Sequence, residues 1–164
     1  MRQFATTALA AVALSFAFAA VAQDSAPAGE EAAAPAAAQP AEATALPTGI
    51  QPPAEGMGQI VFFRPSKMLG AALGFIVREG ETELGKLRNA TYFVAQVAPG
   101  AHTYVVHSEA KDVLNIEVEA GETYFVTGTL GMGIVAGRPN LSPSTQEAFE
   151  AVAKKLKPAK PLKD

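Results

Sequence analysis

His102 and His107 are the only two histidines in the 164-residue chain, which has no Cys and no Trp. His107 and Glu109 pair a neutral imidazole with a carboxylate, the ligand types of a zinc-dependent hydrolase. Residues two apart on a strand share a face, so these two lie together, while His102, five positions from His107, faces the other side. Two ligands leave such a site incomplete, and a metal-dependent hydrolase using His107 and Glu109 is the secondary reading. His102 follows Pro99-Gly100 and is expected to hydrogen-bond loop backbone. Ser108 adjoins His107 in sequence but points away from it on a strand, and there is no Gly-x-Ser-x-Gly elbow. Glu79, Glu81 and Glu83 flank a turn; paired carboxylates cleave glycosides only when held at a set separation in a cleft. On a turn they are expected to be solvated charges.

Gly131-Met132-Gly133-Ile134-Val135-Ala136-Gly137 resembles a nucleotide-binding loop only superficially. Such a loop needs a strand before it and a helix directly after it, and here Arg138-Pro139 follows. A tightly packed glycine-containing strand is expected instead. Arg64 and Arg138 each precede a Pro at a strand end, where extended geometry is favoured. They are expected to pair with Glu109 or Glu122, with binding of an anionic ligand as the second alternative. Arg64, His102, Gly131, Gly133 and Arg138 form the candidate contact surface. No residue is assigned to catalysis, metal or cofactor.

Four segments of contrasting composition carry these residues. Met1 to Ala22 reads as an export signal: Arg2, an uncharged Ala/Leu/Val/Phe run, then Ala20-Val21-Ala22 as the small-x-small pattern for cleavage before Gln23. The alternative is an uncleaved membrane anchor, since a run of about 19 residues is just long enough to span. Residues 23–55 hold 12 Ala, 6 Pro and five acids without a base, too little bulky apolar surface to offset chain entropy, so a disordered linker is expected. Residues 56–157 form the folded domain, and 158–164 a basic tail. Lys154 to Asp164 carries five Lys against one Asp, a solvated end or a weak contact to an anionic surface. A formal charge of −3 and a pI near 5.4 argue against a nucleic-acid partner. Zero Cys excludes disulfides and thiolate chemistry.

The middle of the chain has the periodicity of strands. Gly58 to Pro65 is a continuous apolar run closed by Pro. Leu73 to Arg78 and Thr82 to Leu87 flank Gly80 as a hairpin. Thr91 to Val97 ends at Ala98-Pro99-Gly100, which suits a type II turn, and Ala101 to His107 reads as the returning strand. Leu114, Ile116 and Val118 alternate with Asn115, Glu117 and Glu119. Ala120-Gly121 then turns the chain so that Thr123 to Leu130 pairs back, and Ile134-Val135-Ala136 supplies one more strand. Turn signals at 8–12-residue intervals predict seven or eight strands in a small antiparallel β-sandwich, Ig-like or transthyretin-like. Ser142 to Lys157 reads as one amphipathic helix: Ser144 and Glu147 make a capping box, Phe149, Val152, Ala153 and Leu156 an apolar stripe, and Pro158 the stop.

Phe62-Phe63-Arg64-Pro65, Gly85-Lys86-Leu87, Thr91-Tyr92-Phe93, Pro99-Gly100-x-His102, Gly121-x-x-Tyr124-Phe125 and Gly137-Arg138-Pro139, in that order, resemble the domain of unknown function 2846 family over about Gly56 to Leu156. The resemblance implies a bacterial cell-envelope protein and brings no activity with it. Many such proteins are lipoproteins, but without a Cys lipid anchoring does not transfer. Pro-Gly-x-His also resembles small carbohydrate-associated β-modules, which favours a surface-binding role. The expectation is a periplasmic or secreted, non-enzymatic binding or scaffolding module. Its partner would be an envelope protein, a glycan or a membrane surface. An anchored protein with its N-terminus retained is a further alternative.

Overall fold

Strand β1 (Gly58–Arg64) is buried along its whole length because both of its faces are covered. Ile60 and Phe62 point into the main core, and Val61 and Phe63 into a second cluster beneath the helix. The computed structural model describes Pro47, residues 49–134 and residues 137–162. The segment read as an export signal and all of the linker up to Leu46 lie outside the described residues, as do Val135 and Ala136.

The remaining strands are β2 (Phe75–Glu79), β3 (Thr82–Leu87), β4 (Thr91–Val97), β5 (Gly100–His107), β6 (Lys111–Val118), β7 (Thr123–Gly131), β8 (Arg138–Ser144) and the two-residue β9 (Lys157–Pro158), with helix α1 (Gln146–Ala153) between β8 and β9. They build two sheets, β8-β7-β1-β4-β9 and β3-β2-β5-β6, which face each other across Phe62, Phe75, Tyr104, Leu114, Ile116 and Val126. This is the small β-sandwich with a helix near the C-terminus that the turn spacing predicts.

Partner choice differs from the sequence expectation in two places. The β2–β3 hairpin is present, with Gly80 at φ +55°. Across Pro99-Gly100, however, the chain passes from one sheet to the other, so β5 does not return beside β4. Gly121 likewise marks a crossing, and β7 pairs with β1 in parallel and with β8, not with β6. Alternation reports which face of a strand is buried, but a two-residue link can join strands within a sheet or between sheets about 10 Å apart. The last strand also lies later than expected. Ile134 sits in a bend, and β8 runs through Pro139 and Pro143.

Those prolines suit an edge. The Leu141 N–H points away from β7 and donates to Asp112 Oδ2 at 2.7 Å. Pro139 and Pro143 stand two residues to either side, where an N–H would also face outward. The exposed edge is thereby stripped of free donors, and Asp112 of β6, which also accepts from Asn140 Nδ2, ties the two sheets together.

Helix α1 is shorter than the Ser142–Lys157 expectation because Ser142 and Ser144 belong to β8. Its N-cap is Thr145, whose hydroxyl accepts from Ala148 N at 3.3 Å. Phe149 packs against Phe63, Tyr92 and Phe125 with ring centroids 5.3–5.7 Å apart. Order also starts earlier than residue 56. Ile50 is buried in the helix-side cluster, and buried Gln59 donates to Gln51 O and Thr123 Oγ1, both at 2.8 Å. Gln59 also accepts from Gln96 Nε2, and Gln96 in turn accepts from Ala54 N. At the other terminus Lys157 pairs with Thr91, and Ala159 N donates to Tyr92 O at 2.7 Å, so the basic tail begins within the sheet.

Candidate functional site

Because β1 and β7 are parallel neighbours, Arg64 and Gly131 leave the sheet at the same end. Residues 65–74 continue from one, and residues 132–137 from the other. The link from β3 to β4 and the turn from β5 to β6 emerge there as well, since Arg64 registers with Thr91. Arg64, Gly131, Gly133 and Arg138 are thus brought to one end of the sandwich. His102, at the start of β5, is at the other.

The first loop is braced from inside. Arg64 is only 2 % exposed; its Nη1 donates to Leu73 O at 2.8 Å and its Nη2 to Gly70 O at 2.9 Å. Its guanidinium carbon lies 5.7 Å from the Phe75 ring centroid. Burial lowers its pKa. Carbonyls and a ring thus take the place of the expected Glu109 or Glu122 partner, and Arg64 shapes the loop without presenting a cation. Lys67 N donates to Asn89 Oδ1 at 2.8 Å, which fastens the loop to the link between β3 and β4.

The second loop is held by Glu109, whose Oε2 accepts from Ile134 N at 2.8 Å. Gly133 is pressed against the returning arm: a Cβ there would stand 2.5 Å from both Gly137 Cα and Gly137 N. Close approach thus accounts for Gly133 alone: Gly131 has only an ordinary contact, Gly137 takes a positive φ of +80°, and the described residues between β7 and β8 form a loop in place of the expected glycine strand. Arg138 is exposed.

These braced loops carry an unusual surface. Among the described residues seven large apolar side chains are exposed. Five of them, Met68, Leu69, Leu73, Met132 and Ile134, lie on these two loops, with Met68 at 96 % and Ile134 at 93 %. Lys67, Arg88, Lys111 and Arg138 are exposed at the same end, and Lys157 registers with Thr91 there. The acids at this end, Glu109 and Asp112, accept from backbone N–H groups. The opposite end is acidic, with Glu79, Glu81, Glu83, Glu117, Glu119 and Glu122 in or beside its turns.

His102 belongs to that acidic end. Its Nε2 meets Ala98 O at 2.7 Å, the loop-backbone bond that was expected, and its Nδ1 meets Glu79 Oε1 at 2.5 Å. Burial works against the charged ring, but these two bonds and the negative fields of Glu79 and Glu117 outweigh it and raise the pKa. Glu83 pairs with Arg78, so two of the three turn acids are engaged. His107 is exposed at the loop end, and no three His, Asp or Glu side chains gather as a metal site among the described residues.

Of this surface the sequence marks only the Gly131–Gly137 stretch as a contact candidate, with Ile134 expected in a strand; Met68 and Leu69 carry no signal beyond their place after a strand end, yet all are exposed. Residues 54–139 match the family described as protein of unknown function (DUF2846). The match ends two residues into β8, short of the Leu156 limit of the resemblance. No curated protein and no solved structure matches the chain.

Proposed function

The chain belongs to the DUF2846 family, and from that premise we propose that it is an exported, non-catalytic binding module of the bacterial cell envelope that meets its partner with the loop end of the sandwich. The observation carrying this reading is the set of five solvated apolar side chains on two internally braced loops. Apolar surface left in water costs free energy of roughly 25 cal/mol per Å², and clustered exposure of this kind marks an interaction site. The side chains with chemical potential support the architecture: Arg64 holds a loop, His102 and Glu79 close a turn, and Asp112 seals an edge. Export is supported by Arg2, the apolar run and Ala20-Val21-Ala22.

Fractionation of producing cells with intact-mass measurement tests export: a chain starting at Gln23 in the envelope fraction is expected, and a full-length cytosolic chain contradicts it. Affinity capture from envelope extract, comparing wild type with a Met132→Ser/Ile134→Ser variant, tests the contact end. A partner retained by the first and lost by the second is expected; equal capture by both contradicts it.

A further inference from the structure

Taking the loop end as the contact surface, we infer that its partner is an anionic lipid bilayer, into whose interface Met68, Met132 and Ile134 insert while a rim of Lys and Arg side chains rests on the headgroups. The inference rests on the reading above and adds the identity of the partner.

Shape is the first argument. A side chain 93–96 % exposed touches almost nothing of its own chain, so Met68 and Ile134 stand on projections and do not line a groove. A projection needs a partner it can enter, and the bilayer interface admits flexible apolar side chains. Charge is the second argument. Lys67 adjoins Met68, Arg138 closes the loop that carries Ile134, and Lys111 and Lys157 stand at the same end. Together with Arg88 these cations outnumber the two local acids, Glu109 and Asp112, so the exposed rim carries net positive charge. Six glutamates lie at the far end, which orients the molecule, loops first, toward a negative plane. Rigidity is the third. Arg64 holds the Leu73 and Gly70 carbonyls and Glu109 holds Ile134 N, so these anchor points need no ordering on docking.

The chain has no Trp, so one introduced Trp reports its own environment. Protein purified from the envelope fraction of producing cells and carrying Ile134→Trp is mixed with vesicles of phosphatidylglycerol and phosphatidylethanolamine in equal parts, and Ala120→Trp, in the turn at the acidic end, is the comparison. Met132→Trp is a second reporter should Ile134→Trp fold poorly. The expected result is a shift to shorter emission wavelength and quenching by bromine-labelled acyl chains for the loop reporters, and neither for Ala120→Trp. Binding weakens with salt. Lys67→Gln lowers vesicle affinity about fivefold, the equivalent of one cation at an anionic leaflet. Loop reporters left unquenched, or quenching equal to that of Ala120→Trp, overturn the inference. If the loop reporters respond instead to an envelope protein, the lipid assignment falls and the binding-module reading stands. If they respond to neither, and capture is equal for wild type and the Met132→Ser/Ile134→Ser variant, both fall.

Discussion

His102 is flanked by two acceptors, the Glu79 carboxylate and the Ala98 carbonyl, so the charged ring donates from both nitrogens. Its folded pKa lies above the ordinary 6.5. Stability from this pair is therefore full below pH 6.5 and is lost as pH rises through the higher folded value. Urea midpoints measured across that range should fall with rising pH in the wild type and stay flatter in both His102→Gln and Glu79→Gln. A slope unchanged in either variant assigns the titration elsewhere. The loop-backbone bond was legible because Pro99-Gly100-x-His102 is local. Glu79 was not, since it is 23 positions away and strand register brings it near. Arg64 misled for a similar reason: its sequence suggested pairing with a carboxylate, whereas the fold supplies two loop carbonyls. Arg64→Ala leaves the Gly70 and Leu73 carbonyls without their donor and should cost about 1–3 kcal/mol. Faster proteolysis within residues 66–74 should accompany the lower urea midpoint.

Elements were more legible than single contacts. The alternation of Leu114, Ile116 and Val118 gave the buried face of β6 correctly, and the Thr82 to Leu87 pairing followed from Gly80. Sheet membership was hidden, because the links at Ala98-Pro99 and at Gly121 look the same whether the next strand pairs alongside or crosses over. The helix start was displaced because two hydroxyl residues adjoin it, and Ser144 is taken by pairing with Phe125. The cap therefore predicts a contrast. Thr145→Ala should lower stability by about 1 kcal/mol, while Ser144→Ala should stay within about 0.5 kcal/mol. Equal losses would return the cap to Ser144. Asp112→Ala removes the acceptor for Leu141 N and should cost about 1–3 kcal/mol. Faster amide exchange at Leu141 would locate that loss at the β8 edge.

For the molecule as a whole, two sheets around a shared core were expected and are found, yet its polarity was not visible in a chain charge of −3. Cations and solvated apolar side chains gather at one end and glutamates at the other only after four crossings between the sheets. Side chains as exposed as Met68 and Ile134 contribute little to the fold, so Met68→Ser with Ile134→Ser should leave the unfolding free energy from urea titration within about 0.5 kcal/mol of wild type. A larger loss would make them structural. The measurement that tests the contact end most directly places a photoreactive phenylalanine derivative at position 134 or position 120 in cells making the full chain. Irradiation should link position 134 to lipid or to a discrete partner and leave position 120 unlinked. Linking from position 120 alone would contradict the assignment of the loop end as the working surface.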